Sequence, residues 1–124
     1  MRFMMLVKSA EKSVAPPKAL MDAIAKMAEE AARAGLMILS GGLAPMAMSS
    51  RVRLSKGKLA TIDGPFAEAN EVVGGFAIFE FKSKDEAVKS AEEFMELHRL
   101  YWPGWDGETE VRQIFGPEDY SPKV

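Results

Sequence analysis

Cysteine is absent from the 124 residues. That absence excludes disulfides, thiolate nucleophiles and thiolate zinc sites together, and it fits a reducing compartment. Histidine occurs once, as His98, and no clustered His, Asp or Glu spacing supplies further metal ligands. No metal and no other cofactor is expected. A dominant charge is lacking too: 16 basic residues stand against 18 acidic ones, for a net charge of −2. Such a balanced surface has no general attraction for phosphate backbones or anionic membranes, so direct nucleic-acid binding is not expected. Long apolar runs are also missing. Near the N-terminus only Phe3 to Val7 is continuously apolar, too short for a secretory signal. No window reaches the roughly 20 apolar residues of a membrane span. A cytoplasmic protein with no membrane contact is expected.

What is present has the length of one domain, residues 1–124. "RFMMLVKS" (2–9) predicts a strand that is apolar on both faces. "PPKALMDAIAKMAEEAARAG" (16–35) predicts a helix with proline in its first turn, Leu20, Ile24, Met27 and Ala31 on one face, and Gly35 as its C-terminal cap. "LMILSGGL" (36–43) predicts a second strand. "SRVRLSKGKLATI" (50–62) alternates Val52 and Leu54 with Arg51 and Arg53, as a half-exposed strand does, with a turn at Lys56-Gly57-Lys58. "VVGGFAIFEFK" (72–82) is the strongest strand signal, with Phe76 and Ile78 on one side and Ala77, Phe79 and Phe81 on the other. In "SKDEAVKSAEEFMELHRLY" (83–101), Ser83 and Glu86 form a capping box ahead of a helix. "ETEVRQIF" (108–115) predicts the last strand, and the polar stretch 116–124 a loosely held tail.

This order is the α+β, ferredoxin-like βαββαβ plan with an extra central hairpin. That plan puts the first and third strands at the centre of the sheet and both helices on one face. The two strands that are apolar on both faces are 2–9 and 72–82, the ones the plan places centrally. Their second apolar face then needs a cover. A homodimer with sheets packed face to face around a shared cavity is the simplest one.

Several residues invite a functional reading, each beside a plainer one. Asp63 precedes Gly64-Pro65, so its carboxylate either shapes a turn or stands at a sheet edge as a base or orienting group. His98 shares a helix face with Ala87, Ala91 and Phe94. It is either a core histidine with one satisfied nitrogen or a proton carrier at a pocket. The aromatic loop "YWPGWDGE" (101–108) is either a plug over the core or a dimer clamp, or else the wall of a pocket for a planar ligand. Lys8 and Arg112 fall on adjacent strands of the expected sheet and could bind an anionic group. Gly74-Gly75 precedes a strand and opens no helix, so it is a bulge or a close backbone approach rather than a phosphate loop.

The stretch "DGPFAEANEVVGGF" (63–76), followed by an apolar strand and a capped helix, resembles the DGPF subgroup of the YCII-related proteins. "ELHRLYWPGWDGETEVRQI" (96–114) resembles the end of one branch of that subgroup. The resemblance implies a dimeric α/β barrel of ferredoxin-like units, in small bacterial proteins mostly without assigned reactions. Related proteins have been considered enzymes with a His–Asp pair in the cleft, and some are associated with extracytoplasmic-function sigma factors. Carried over, the signature aspartate is Asp63. The histidine often discussed in such proteins lies in or near the first helix, where this chain has none, so a pair here would use His98. Two expectations follow. One is a small-molecule enzyme with Asp63 and His98 as its acid/base residues; the other is a non-catalytic ligand-binding or regulatory module associated with transcription (sigma-factor) machinery. The candidate ligand-binding residues are Lys8, Gly64, Pro65, Phe66, Trp102 and Arg112.

Overall fold

A computed structural model describes residues 1–11, 14–66 and 71–120. Its elements are β1 (Arg2–Ser9), α1 (Lys18–Arg33), β2 (Met37–Gly42), a 3-10 turn (Met46–Met48), β3 (Ser50–Ser55), β4 (Lys58–Asp63), β5 (Val72–Glu80), α2 (Lys84–Tyr101), β6 (Glu108–Ile114) and a single helical turn, α3 (Pro117–Tyr120). The fold is α+β. Four strands form an antiparallel sheet in the order β2-β5-β1-β6. Counted without the β3–β4 hairpin this is the ferredoxin-like order, and the central pair is β1 and β5, as their two-sided apolarity requires.

One face of this sheet meets the helices. Phe3 and Met5 of β1 join Phe79 and Phe81, and Ala87 and Ala91 of α2 close over them. The alanines matter: with no bulk beyond Cβ, α2 settles directly on the aromatic rings. Helix α1 ends as the sequence requires. Gly35 has φ +74°, Leu36 N–H reaches the Ala31 carbonyl, and Gly35 N–H reaches that of Ala32; together these are a Schellman cap. At its other end the expectation needs adjustment, because Pro17 is the N-cap rather than a first-turn residue. At α2, Ser83 Oγ accepts from the Glu86 amide, while the Glu86 carboxylate reaches the amide of Lys82, one residue ahead of the cap.

The other face carries Met4 opposite Ile78 and Leu6 opposite Phe76 on the central strands. All four are half-buried, and Leu39 beside them is exposed. The glycine pair makes a bulge: Val7 faces Gly75 but Lys8 faces Val73, so Gly74 is the inserted residue.

The stretch 50–62 turns at Lys56-Gly57, within the turn expected there, but its alternating face is exposed rather than half-buried. It folds into the β3–β4 hairpin, a separate two-stranded sheet. Val52, Leu54 and Leu59 lie on one face of this hairpin and are 71%, 68% and 75% exposed. The alternation is real, but among the described residues no layer packs on its apolar side. In the expected tail, α3 is one helical turn, with the Gly116 amide donating to the Asp119 carboxylate. Residues 121–124 of the expected tail, and Ala67–Asn70 of the "DGPFAEANEVVGGF" stretch, lie outside the described residues.

Candidate functional site

A cleft of about 780 Å³ opens at the end of the sheet where β1 finishes and β5 begins. Several chain segments wall it, among them the stretch after β1 with Glu11, Val14 and Pro16. The sheet contributes Val7, Val72 and Val73, and the loop after β2 contributes Leu43, Pro45 and Met46. Arg51 and Phe66 come from the hairpin side, and His98, Trp102 and Trp105 from α2 and the loop beyond it.

His98 lines this cleft. It is buried in the last turn of α2 with 6% of its surface exposed. Its Nδ1 lies 3.0 Å from the Phe94 carbonyl oxygen. A carbonyl only accepts, so Nδ1 carries the proton and Nε2 holds the lone pair of the neutral ring. Among the described residues no buried side-chain nitrogen or oxygen lacks a partner. Nε2 makes no bond within the described chain, so it is the ring atom left to the cleft. Trp105 packs on the ring at 4.4 Å between centroids, with Phe94 at 4.8 Å, and Trp102 stacks beyond Trp105 at 6.1 Å. The aromatic loop can double back this far because Gly107 fits between the Trp105 indole and the Lys8 carbonyl, where any Cβ would stand 2.3 Å from the indole. Trp102 and Trp105 both line the cleft, and Trp105 covers the His98 ring.

Asp63, Gly64, Pro65 and Phe66 divide their tasks. Ser50 Oγ donates to Asp63 Oδ1 at 2.6 Å, tying the ends of β3 and β4 together. Gly64 donates its N–H to the Ser49 carbonyl at 2.8 Å and lies against the 3-10 turn. Pro65 follows through a cis peptide bond. Phe66 is buried, and the Arg51 guanidinium sits 3.7 Å above its ring, a cation–π contact. Of these four only Phe66 is among the described residues lining the cleft. The carboxylate of Asp63 is exposed and bonded to Ser50 instead. Glu11 is the carboxylate that braces the cleft wall, accepting from the Met46 amide at 2.9 Å. Sequence reasoning missed Glu11 and Arg51 as cleft residues, since neither carries a motif; only the loop after β2 folding back brings them there.

Lys8 and Arg112 do meet on one face of the sheet, but around Glu110. Lys8 Nζ bonds Glu110 Oε1 at 2.5 Å and Arg112 bonds Oε2. Hydrogen bonds from Lys8 and then Arg112 hold the Glu110 carboxyl below its ordinary value, and the bond to Glu110 raises Lys8 above its own. In the single chain Glu110 pairs with both cations, and Glu108 opposite Lys8 adds a second carboxylate. Among the described residues, no group of three or more His, Asp or Glu side chains is arranged to hold a metal ion. No helix is long and apolar enough to cross a membrane.

Two predictions follow from this geometry. An ideal Cβ on Gly64 would lie 1.8 Å from the Met46 carbonyl oxygen and 2.8 Å from its carbon. Both are backbone atoms that cannot step aside cheaply. Gly64→Ala is expected to cost at least the roughly 1–3 kcal/mol of an overpacked core, read as a lower urea midpoint; an unchanged midpoint would show that the turn is not held against Met46. The second concerns pH. A depressed carboxyl contributes stability above its ordinary pKa of 4.5, and that contribution fades as pH falls through the lower folded value. The raised Lys8 contributes below 10.5 and loses its share only as pH rises through its higher folded value. Glu110→Gln should therefore lower the melting temperature near neutrality and flatten the drop on acidification below about pH 4.5. Parallel melting curves for the two proteins at every pH would refute the cluster's role.

Comparison with known protein families now bears on this geometry. No curated protein matches the chain. A family model described as the YCII-related domain matches residues 1–96. The match takes in the Asp63–Phe66 turn and most of α2, and it stops two residues before His98, so Trp102, Trp105 and β6 lie beyond it. It spans well over half of the sequence, and this chain belongs to the YCII-related domain family.

Proposed function

We propose that this YCII-related protein is a small-molecule enzyme in which Nε2 of His98 accepts and returns a proton within the cleft. The carrying observation is the Nδ1–Phe94 bond, which places the lone pair on Nε2. A proton acceptor working near neutrality needs that lone pair available at a site substrate can reach. The tryptophans suit a substrate with a flat apolar part, and the valines from β1 and β5 exclude water on the opposite wall. Asp63 is proposed as a positioning residue: through Ser50 it secures the base of the hairpin from which Arg51 and Phe66 reach the cleft.

One observation favours a non-catalytic ligand-binding or regulatory module instead. The partner of Nδ1 is a neutral carbonyl, not a carboxylate, so that bond brings no opposite charge to the imidazolium that proton acceptance creates. His98→Gln separates the two readings. For an enzyme, the variant should keep its fold and its ligand affinity within a few-fold, and lose turnover of any substrate found by screening small metabolites by about a hundredfold or more. Long-range ¹H–¹⁵N spectra of the single imidazole give an independent check. A neutral ring protonated on Nε2 would overturn the proposal, and ligand binding without product at any pH would leave the binding module.

The proposal includes a homodimer in which a second copy covers the sheet face of Met4, Leu6, Phe76 and Ile78. Half-buried apolar side chains on both central strands, with exposed Leu39 alongside, support that occupant. Sedimentation should show a dimer for the wild type and a monomer for Ile78→Glu. A wild type that sediments as a monomer at micromolar concentration would remove the dimer from the proposal.

A further inference from the structure

A second space lies elsewhere, between the helix layer and the sheet, with a volume of about 420 Å³. Its origin is a taper in the side chains that point at the helices. Along the register, Phe3 faces Phe79, Met5 faces Ala77 and Val7 faces Gly75. On the other side of β5, Met37 faces Phe79, Ser40 faces Ala77 and Gly42 faces Gly75. Bulk therefore falls from phenylalanine to alanine to glycine along β5, and from methionine to serine to glycine along β2. The helices do not fill what the sheet gives up. Ile24, Met27 and Ala28 of α1 line the space and are only half-buried, although they sit on the inner face of their helix. Protein interiors are normally close-packed, with few voids larger than a water molecule. A space of this volume falls instead in the range of small-molecule sites, about 300–1,000 Å³.

Its chemistry is one-sided. Among the described residues that line it none is charged, and the only side-chain hydroxyls are those of Ser40, Ser90 and Thr109. Thr109 already donates to the Met95 sulfur at 3.1 Å. An ion entering here would lose its hydration with no opposite charge to meet it. Four of the lining residues are methionines, Met5, Met21, Met27 and Met37, whose unbranched side chains adapt to an apolar guest. Met21, Gly41 and Gly42 are exposed at the rim, which gives a way in.

We propose that this cavity binds a small, uncharged, predominantly apolar molecule carrying at most one or two hydroxyl or carbonyl groups, at a site separate from the His98 cleft. The probe is N-phenyl-1-naphthylamine, neutral and fluorescent in apolar surroundings, titrated into the full chain labelled with ¹³C at the methionine methyls. The methionines divide the surface usefully. Met4 reports on the open sheet face, Met46 on the His98 cleft, and Met5, Met21, Met27 and Met37 on the cavity. Saturable fluorescence is expected, with methyl shifts confined to the last four. Gly42→Val places bulk where an added Cβ meets nothing closer than the Gly74 carbonyl at 3.9 Å, and Ala28→Phe fills the space from α1. Each should weaken the probe at least tenfold. Absence of saturable binding, shifts centred on Met4 or Met46, or undiminished affinity in both folded variants would overturn the proposal. If either variant fails to fold, the shift map on the wild type decides alone. His98→Gln should bind the probe as the wild type does, so this proposal and the cleft reading fail independently.

Discussion

The rings of Phe3, Phe79 and Phe81 under Ala87 and Ala91 form the contact on which the rest of the structure depends. Phe79 and Phe81 stack at 5.3 Å and Phe3 tilts against Phe81 at 6.5 Å. The two alanines let α2 sit low over them, which fixes both the height and the direction of the helix at one end of the sheet. A helix is stiff over its length, so its far end follows. At about 1.5 Å per residue, His98 stands roughly 16 Å beyond Ala87. It is therefore carried to the opposite end of the sheet, where the side chains have shrunk to glycine and the cleft opens.

At that far end no single element is sufficient. The cleft needs the loop after β2 to fold back, and Glu11 and Gly64 both hold that loop, one by a carboxylate on the Met46 amide, the other by contact with the Met46 carbonyl. The Asp63–Phe66 turn thus acts mainly as an anchor. It joins a hairpin with little packing of its own to the wall of the cleft, and Phe66 under Arg51 is where the anchor enters.

Much of this was legible in the sequence, for physical reasons that differ between elements. β1 and β5 declare themselves by being apolar on both faces, and α2 by its capping box and small inner residues. The bulge at Gly74 follows from glycine inside a strand signal. His98 was placed on the buried helix face, where Nδ1 is satisfied as in a core, and its side chain also lines the cleft. What was not legible depends on contacts between segments distant in the chain. Alternation in 50–62 reports which side chains share a face, not whether anything lies against that face. Lys8 and Arg112 read as cations on neighbouring strands, but Glu110 between them becomes visible only once the register is known. The cavity was invisible for the same reason, since a taper in volume exists only across paired strands.

The bulge also explains how one sheet can serve two spaces. Val7 and Gly74 line both of them. On the Gly75 side of the bulge, β5 keeps the alternation that puts Ala77 and Phe79 under the helices. The inserted Gly74 shifts that alternation by one residue, and beyond it Val72 and Val73 wall the cleft instead. On the helix above, Phe94 lines the cavity and His98, one turn later, lines the cleft. The boundary on the strand and the boundary on the helix coincide. At Gly74 the strand's share of both linings is bare backbone, and an added Cβ there would meet nothing within 4 Å.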